Sequence, residues 1–234
     1  TPLFHKGREL YGLWQVRQAN SKIERLIVVE GYMDVIALLQ HGITQAVATL
    51  GTATTPDHAE LLFRNAPDVY FCFDGDAAGR RAAGKAMESV LPRMKDGRQA
   101  FFLFLPDGED PDTLVRNEGS AGFDVRLRDA TPLSTFFFDE LAKDVNLGTL
   151  DGKARMAERA KPLLAQIPDG AFADLMRQRL TELTGVGART AAQTQPISQR
   201  ARAQSAQTQT RSRVRSAIAL LFQPPPLALA LEPP

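Results

Sequence analysis

Cysteine is nearly missing from this chain of 234 residues, which holds one, Cys72. A disulfide framework and a Cys-rich zinc site are therefore excluded for this sequence. Cys72 lies within Val69-Tyr70-Phe71-Cys72-Phe73 and reads as a buried small hydrophobe rather than a nucleophile. The three histidines, His5, His41 and His58, are scattered and suggest no ligand cluster. No apolar run approaches the roughly 20 residues that a membrane helix needs, and no signal peptide is visible. Charge of either sign is not in excess: the formal net charge is +1. There is thus no global basic field, and a nucleic-acid partner has to be served by a local patch. The first residue is not Met and the last four are Leu231-Glu232-Pro233-Pro234, so the expectation is an excised piece of a longer cytoplasmic protein.

What the sequence does contain is an ordinary globular composition, 44% hydrophobic and 24% charged. Val69 to Phe73 is rich in β-branched and aromatic residues and reads as a buried strand. Asp74-Gly75-Asp76 follows at once, then a helix-forming run from Ala77 to Leu91. Strand, acidic turn and helix make half of a βαβ unit, and ligands of open parallel sheets bind beyond the carboxyl ends of strands. Gly75 is expected to let the backbone turn tightly between the two carboxylates. Two carboxylates this close repel each other unless protonated, solvated or bridged by a cation. An oxygen-seeking divalent ion such as Mg2+ accounts for the pair. So, without chemistry, does a helix cap at Asp76 beside a strand end at Asp74.

A second acidic strand end favours the cation: Leu26-Ile27-Val28-Val29 runs into Glu30-Gly31 and a helical stretch from Tyr32 to Gln40. Further strands are expected at Ala46 to Leu50 and at Phe101 to Leu105. Helical patterns of 10–15 residues between strands indicate parallel pairing, so the fold class is α/β, with the sheet covered on both faces. Past the fourth strand, Asp110 before Pro111 looks like an N-cap with Pro at the first helical position, and Asp112 falls in the first turn. Capping explains both residues; their place past a strand end equally suits a metal site, and both readings stand. At the amino-terminal side, Glu9 to Ser21 is expected to be helical, with Trp14 anchoring it to the next layer.

From Ser120 onward no strand is expected. Thr131 to Lys143, Gly152 to Ile167 and Phe172 to Thr184 read as amphipathic helices, the second kinked or divided at Pro162. Phe136, Phe137, Phe138 and Leu141 are expected to be the core of a small helical bundle. Gly185 to Thr210 is rich in Gln, Ala, Thr, Ser and Arg and reads as a linker, and Arg211 to Phe222 as the start of a further domain. The expected organisation is 1–119 as an α/β domain with a preceding helix, 120–186 as a helical subdomain, 187–210 as a flexible linker and 211–234 as a truncated domain start.

Several chemistries match the acidic turn less well. An aspartyl phosphatase would be expected to have a hydroxyl or β-branched residue where Ala78 stands. A calcium loop counted from Asp74 would need Glu at the position of Lys85. Strand breakage needs a Tyr nucleophile, and Tyr11, Tyr32 and Tyr70 have ordinary structural readings. A metal-dependent nuclease, and a non-catalytic docking fragment, remain alternatives.

Taken together, Val29-Glu30-Gly31-Tyr32-Met33-Asp34, Asp74-Gly75-Asp76 and the string from Leu105 through Asp110-Pro111-Asp112 to Leu114 resemble the Toprim domain of bacterial DNA primases. Lys6-Gly7-Arg8 and Leu50-Gly51-Thr52 extend the resemblance, which spans roughly residues 1 to 185. It implies a Toprim-like parallel sheet flanked by helices and followed by a small helical bundle. It also implies RNA primer synthesis from NTPs on single-stranded DNA, by metal-assisted nucleotidyl transfer. Carried over to this sequence, Glu30, Asp74 and Asp76 are catalytic and hold Mg2+ or Mn2+, with Asp110 and Asp112 as further ligands. Asp74 would bridge two ions, with Glu30 on one and Asp76 on the other. Lys6 matches a basic position beside the site, and Arg80, with Arg81 and Lys85, is a candidate to steer phosphates. The family's zinc module and first half of its polymerase core lie outside this sequence. A replicative helicase is the implied partner, through a carboxyl-terminal domain that begins at Arg211, and the implied location is the cytoplasm, at replication forks on the nucleoid.

Overall fold

The strand that precedes the acidic turn lies at the middle of the sheet. The structure is a computed structural model that describes residues 5–51 and 53–187; the linker and further-domain segments expected beyond them lie outside the described residues. Five strands, β1 (Arg25–Val29), β2 (Ala46–Ala48), β3 (Asp68–Phe73), β4 (Gln99–Phe104) and β5 (Thr131–Pro132), are ordered β2-β1-β3-β4-β5. The first four pair in parallel, with Leu26 beside Val69 and Phe71 beside Phe102. β5 pairs antiparallel with β4, Phe102 opposite Thr131.

Successive side chains of a strand face opposite ways, and both faces here are covered. Leu26, Val28, Phe71, Phe73 and Phe102 pack into one core. Ile27, Val29, Cys72 and Leu103 pack into the other. The first core takes α1 (Leu13–Ala19), α3 (Pro56–Asn65), α4 (Ala77–Val90), α6 (Leu133–Ala142), α7 (Leu150–Leu164) and α8 (Ala171–Thr184). The second takes α2 (Tyr32–Gln40) and α5 (Pro111–Arg128). Cys72 is buried as expected, and burial pushes its thiol far above the ordinary range.

β1 therefore leads to β2 through a helix on one face, and β2 leads back to β3 through a helix on the other. This reversal beside β1 opens a crevice between the carboxyl ends of β1 and β3, where α/β sheets bind ligands. The fold places Glu30 at one side of that crevice and Asp74 at the other.

Four sequence expectations are corrected. A strand does occur after Ser120: β5 is two residues long and contains Pro132, which an edge strand tolerates but which leaves no periodic signal. α1 starts at Leu13 rather than Glu9, because Tyr11 makes a reciprocal backbone bridge with Ala48 and Gly12 then turns at φ 86. Trp14 anchors nothing, being 69% exposed; Leu10, Leu13 and Val16 carry the packing. Pro162 does not divide α7, which runs on from Leu150 to Leu164 with the proline inside it, although the Glu158 carbonyl has no N–H to accept from at that position.

The residues expected as a helical bundle pack against the sheet and share its core. α5 runs through residue 120, with a local break at Gly119 (φ 69). Phe136 stacks on Phe102 with ring centroids 4.4 Å apart, and Phe137 is fully buried. Sheet and helices up to Val186 form one unit.

Candidate active site

Each acidic residue at the crevice is placed by a local backbone device. Glu30 leaves β1, and Gly31 begins α2 by donating its N–H to Asp34 Oδ2 at 3.1 Å. Asp74 leaves β3, and Asp76 caps α4 by accepting from Gly79 N at 2.7 Å. Asp110 caps α5, accepting from Thr113 N at 2.7 Å, with Pro111 at the first helical position. Asp112, in the first turn, takes the guanidinium of Arg116 at 2.7 Å. The capping geometry expected of Asp76 and Asp110 is thus present. At Asp76 the cap uses Oδ1 and leaves the second oxygen for a ligand, whereas the Asp110 carboxylate also interacts with the Thr113 side chain.

Two glycines let these turns close. A methyl group on Gly75 would overlap the Leu105 carbonyl oxygen, and one on Gly79 would overlap the Asp74 carbonyl oxygen. Gly75 is needed in this turn because the β4–α5 loop presses on it, and not because its φ is positive.

Electrostatics joins the carboxylates into one cluster. Burial, then Asp74, Asp76 and Asp34, raises the Glu30 pKa above its ordinary value. Burial raises Asp34 too; the Gly31 N–H pulls the other way, and Asp110, Asp74 and Asp112 add to the rise. Burial, Asp76 and Asp110 raise Asp74. Asp110 itself is held below its usual range, chiefly by the Thr113 N–H. Three carboxyls raised by burial and then by one another's charge, in a set of oxygen donors, fit a hard divalent cation, which relieves the repulsion between them. Among the described residues, no group of three or more His, Cys, Asp or Glu side chains is already arranged to hold an ion. A bound cation would therefore have to draw these side chains inward.

Asp34 is the site residue that sequence reasoning missed. It was visible in the Glu30-Gly31-Tyr32-Met33-Asp34 string but reads there as an ordinary acidic first-turn residue. The cations named from the sequence do not all line the same cavity. Lys6 lines a cavity with Glu30, Gly31, Tyr32, Leu50 and Gly51, where Leu50 itself is held at φ 60. A second cavity of about 270 Å³ is bounded by Glu30, Thr54, Phe73, Arg81 and Lys85. Arg80 is not among its lining residues: its guanidinium lies over the Phe104 ring, 5.1 Å from the centroid.

Comparison with known proteins matches residues 27–115 to a family described as Toprim-like and residues 134–188 to the DnaB-helicase binding domain of primase. The DNA primase of Pseudomonas aeruginosa is 55% identical over 194 residues, covering 82% of this chain and 29% of that protein. The chain belongs to the bacterial DNA primase family. A solved DNA primase domain from Pseudomonas aeruginosa superposes with a TM-score of 0.79 at 55% identity, over 81% of this chain and 59% of that one. A DnaG primase catalytic domain solved with single-stranded DNA gives 0.75 at 55% identity, over 78% of this chain and 59% of that one. The chain thus spans about a third of the length of the curated primases that it matches. Within this primase-family chain the helicase-binding match falls on α6, α7 and α8 rather than on the segment from Arg211, where such a domain was expected to begin.

Proposed function

We propose that this chain supplies the metal-holding part of a primase that joins NTPs into short RNA primers on a single-stranded DNA template. The observation that carries this reading is the gathering of Glu30, Asp34 and Asp74 where β1 and β3 end side by side, close enough that each carboxylate, besides being partly buried, feels its neighbours' charge. The donor set fits Mg2+ or Mn2+, held by Glu30, Asp74 and Asp76, with Asp34, Asp110 and Asp112 around them. When bound, such ions activate the attacking 3′-hydroxyl and neutralise the leaving pyrophosphate oxygens.

What the chain's own residues do follows from their placement. Glu30, Asp74 and Asp76 concentrate negative charge on turns anchored to buried strands, so closing on an ion asks for side-chain rotation rather than backbone movement. Lys6 in one cavity that Glu30 lines, and Arg81 and Lys85 in another, offer cations for phosphate oxygens. Neither Arg81 nor Lys85 is engaged in an ion pair among the described residues. They are better placed than Arg80 to steer a triphosphate. Template binding is supported by the relative solved with single-stranded DNA, and a replicative helicase partner by the family match on α6 to α8. Zinc, where the family uses it, belongs to a module outside this sequence.

Primer synthesis by the complete enzyme, with labelled NTPs and a single-stranded template, tests the reading. Glu30→Gln, Asp74→Asn and Asp76→Asn are each expected to lose nearly all activity. Full activity of Asp74→Asn refutes it. Metal-dependent DNA cleavage without synthesis would instead identify a nuclease.

A further inference from the structure

His58 is fully buried, and its ring hydrogen-bonds to a part of the chain about fifty residues away. It sits at the third position of α3, in a reciprocal cap: its backbone N–H donates to Thr55 Oγ1 at 3.1 Å, and Thr55 N–H donates to its Nδ1 at 3.3 Å. A backbone N–H can only donate, so Nδ1 is the acceptor and the ring proton resides on Nε2. Nε2 faces two carbonyls, that of Lys6 at 2.9 Å and that of Glu9 at 3.1 Å. Thr55 Oγ1 adds a bond to the Gly7 carbonyl at 2.6 Å, and Arg8 pairs with Asp57 at 2.9 Å.

Residues 5–10 belong to no helix or strand. Their course is set by these bonds to the start of α3, not by a ladder of their own. The segment carries Lys6, which shares its cavity with Glu30. A lysine side chain is long and flexible, so its reach depends on where its backbone is tethered.

We propose that His58 is a positioning residue for nucleotide binding: through its Nε2 bond to the Lys6 carbonyl it holds Lys6 where its ammonium meets the phosphates of the incoming NTP. This rests on the reading of the crevice as the nucleotide site. His58 touches neither substrate nor metal ligands and acts only through Lys6.

The test uses the complete enzyme in steady-state primer synthesis. His58→Asn keeps an acceptor for the Thr55 N–H but is too short to donate to Lys6, whereas His58→Gln retains a donor at about the reach of Nε2. His58→Asn should raise the KM for NTP on the order of 10-fold with a much smaller change in kcat, as expected for lost ground-state binding. Lys6→Ala should do the same, and the double variant should be no worse than Lys6→Ala alone, because the two act as one unit. His58→Gln should restore most of the wild-type KM. A general loss of packing lowers the concentration of active enzyme and leaves KM in place, so the KM effect and its rescue separate positioning from stability. If Lys6→Ala leaves KM unchanged, the reading of Lys6 fails and the proposal with it. If Lys6→Ala raises KM but His58→Asn does not, or if their effects add, the proposal alone is overturned.

Discussion

Gly75→Ala perturbs the crevice without touching any carboxylate. The added methyl would overlap the Leu105 carbonyl oxygen and stand 3.1 Å from both the Asp107 nitrogen and the Pro106 carbonyl carbon. All three are backbone atoms, so no side chain can swing aside; either the β3–α4 turn or the β4–α5 loop has to retreat by on the order of 1 Å. The turn carries Asp74 and Asp76, and the loop leads to Asp110. Overpacking of this kind costs about 1–3 kcal/mol of stability. A displacement of that size at a reacting centre lowers catalysis on the order of 10²-fold. Gly84, on the same helix α4, is the control, since a methyl there meets nothing within 4 Å. Gly84→Ala should stabilise by up to about 1 kcal/mol, through helix propensity and reduced freedom of the unfolded chain. Urea denaturation of each variant, together with kcat/KM for primer synthesis, reads both effects. Wild-type stability and activity in Gly75→Ala would refute the argument that close backbone approach, rather than turn preference, sets this position.

The remaining predictions concern charge, capping and packing. Glu30, Asp34 and Asp74 keep protons in the folded state to higher pH than in the unfolded chain. Chelator-treated protein should therefore gain stability as pH falls from neutral through their raised values toward the ordinary 3.8 to 4.5. Thermal denaturation of Asp74→Asn should show a smaller gain, and saturating Mg2+ should flatten the profile; a metal-free stability that falls over this range contradicts the repulsion. Asp110 has the opposite sign: its lowered pKa gives stability that is present above 3.8 and lost as pH falls through its folded value. Asp110→Asn should keep the cap, while Asp110→Ala costs about 1 kcal/mol; unchanged activity and metal dependence in the Asn variant would restrict Asp110 to capping. Phe136→Ala should cost about 3–5 kcal/mol in a single denaturation transition, because Phe136 stacks on Phe102 of the sheet; two separate transitions would argue against a shared core.

Much of the fold is local in origin and was legible as such. The strands announce themselves because they are apolar on both faces, and Asp110-Pro111 announces a helix start because a cap needs only its own next three residues. The paired acidic strand ends follow from the same reading, as do the motif strings that indicated the family. Trp14 was misread because helical periodicity identifies faces within an element but not which face another layer will cover. β5 was missed because two residues at a sheet edge carry no period.

The sequence by itself determined the α/β class, the approximate strands, and the turns that present Glu30, Asp74, Asp76 and Asp110, since these depend on neighbouring residues and on strand and helix periods. Only the tertiary structure decided which distant turns meet. Strand order brings the end of β1 beside the end of β3, which draws Asp34 into the carboxylate cluster and points Arg80 at Phe104, away from the cavity that Arg81 and Lys85 line. The same packing lays the Lys6 carbonyl on the buried ring of His58. Such pairings come from burying two sheet faces under one set of helices, and no spacing along the chain encodes them.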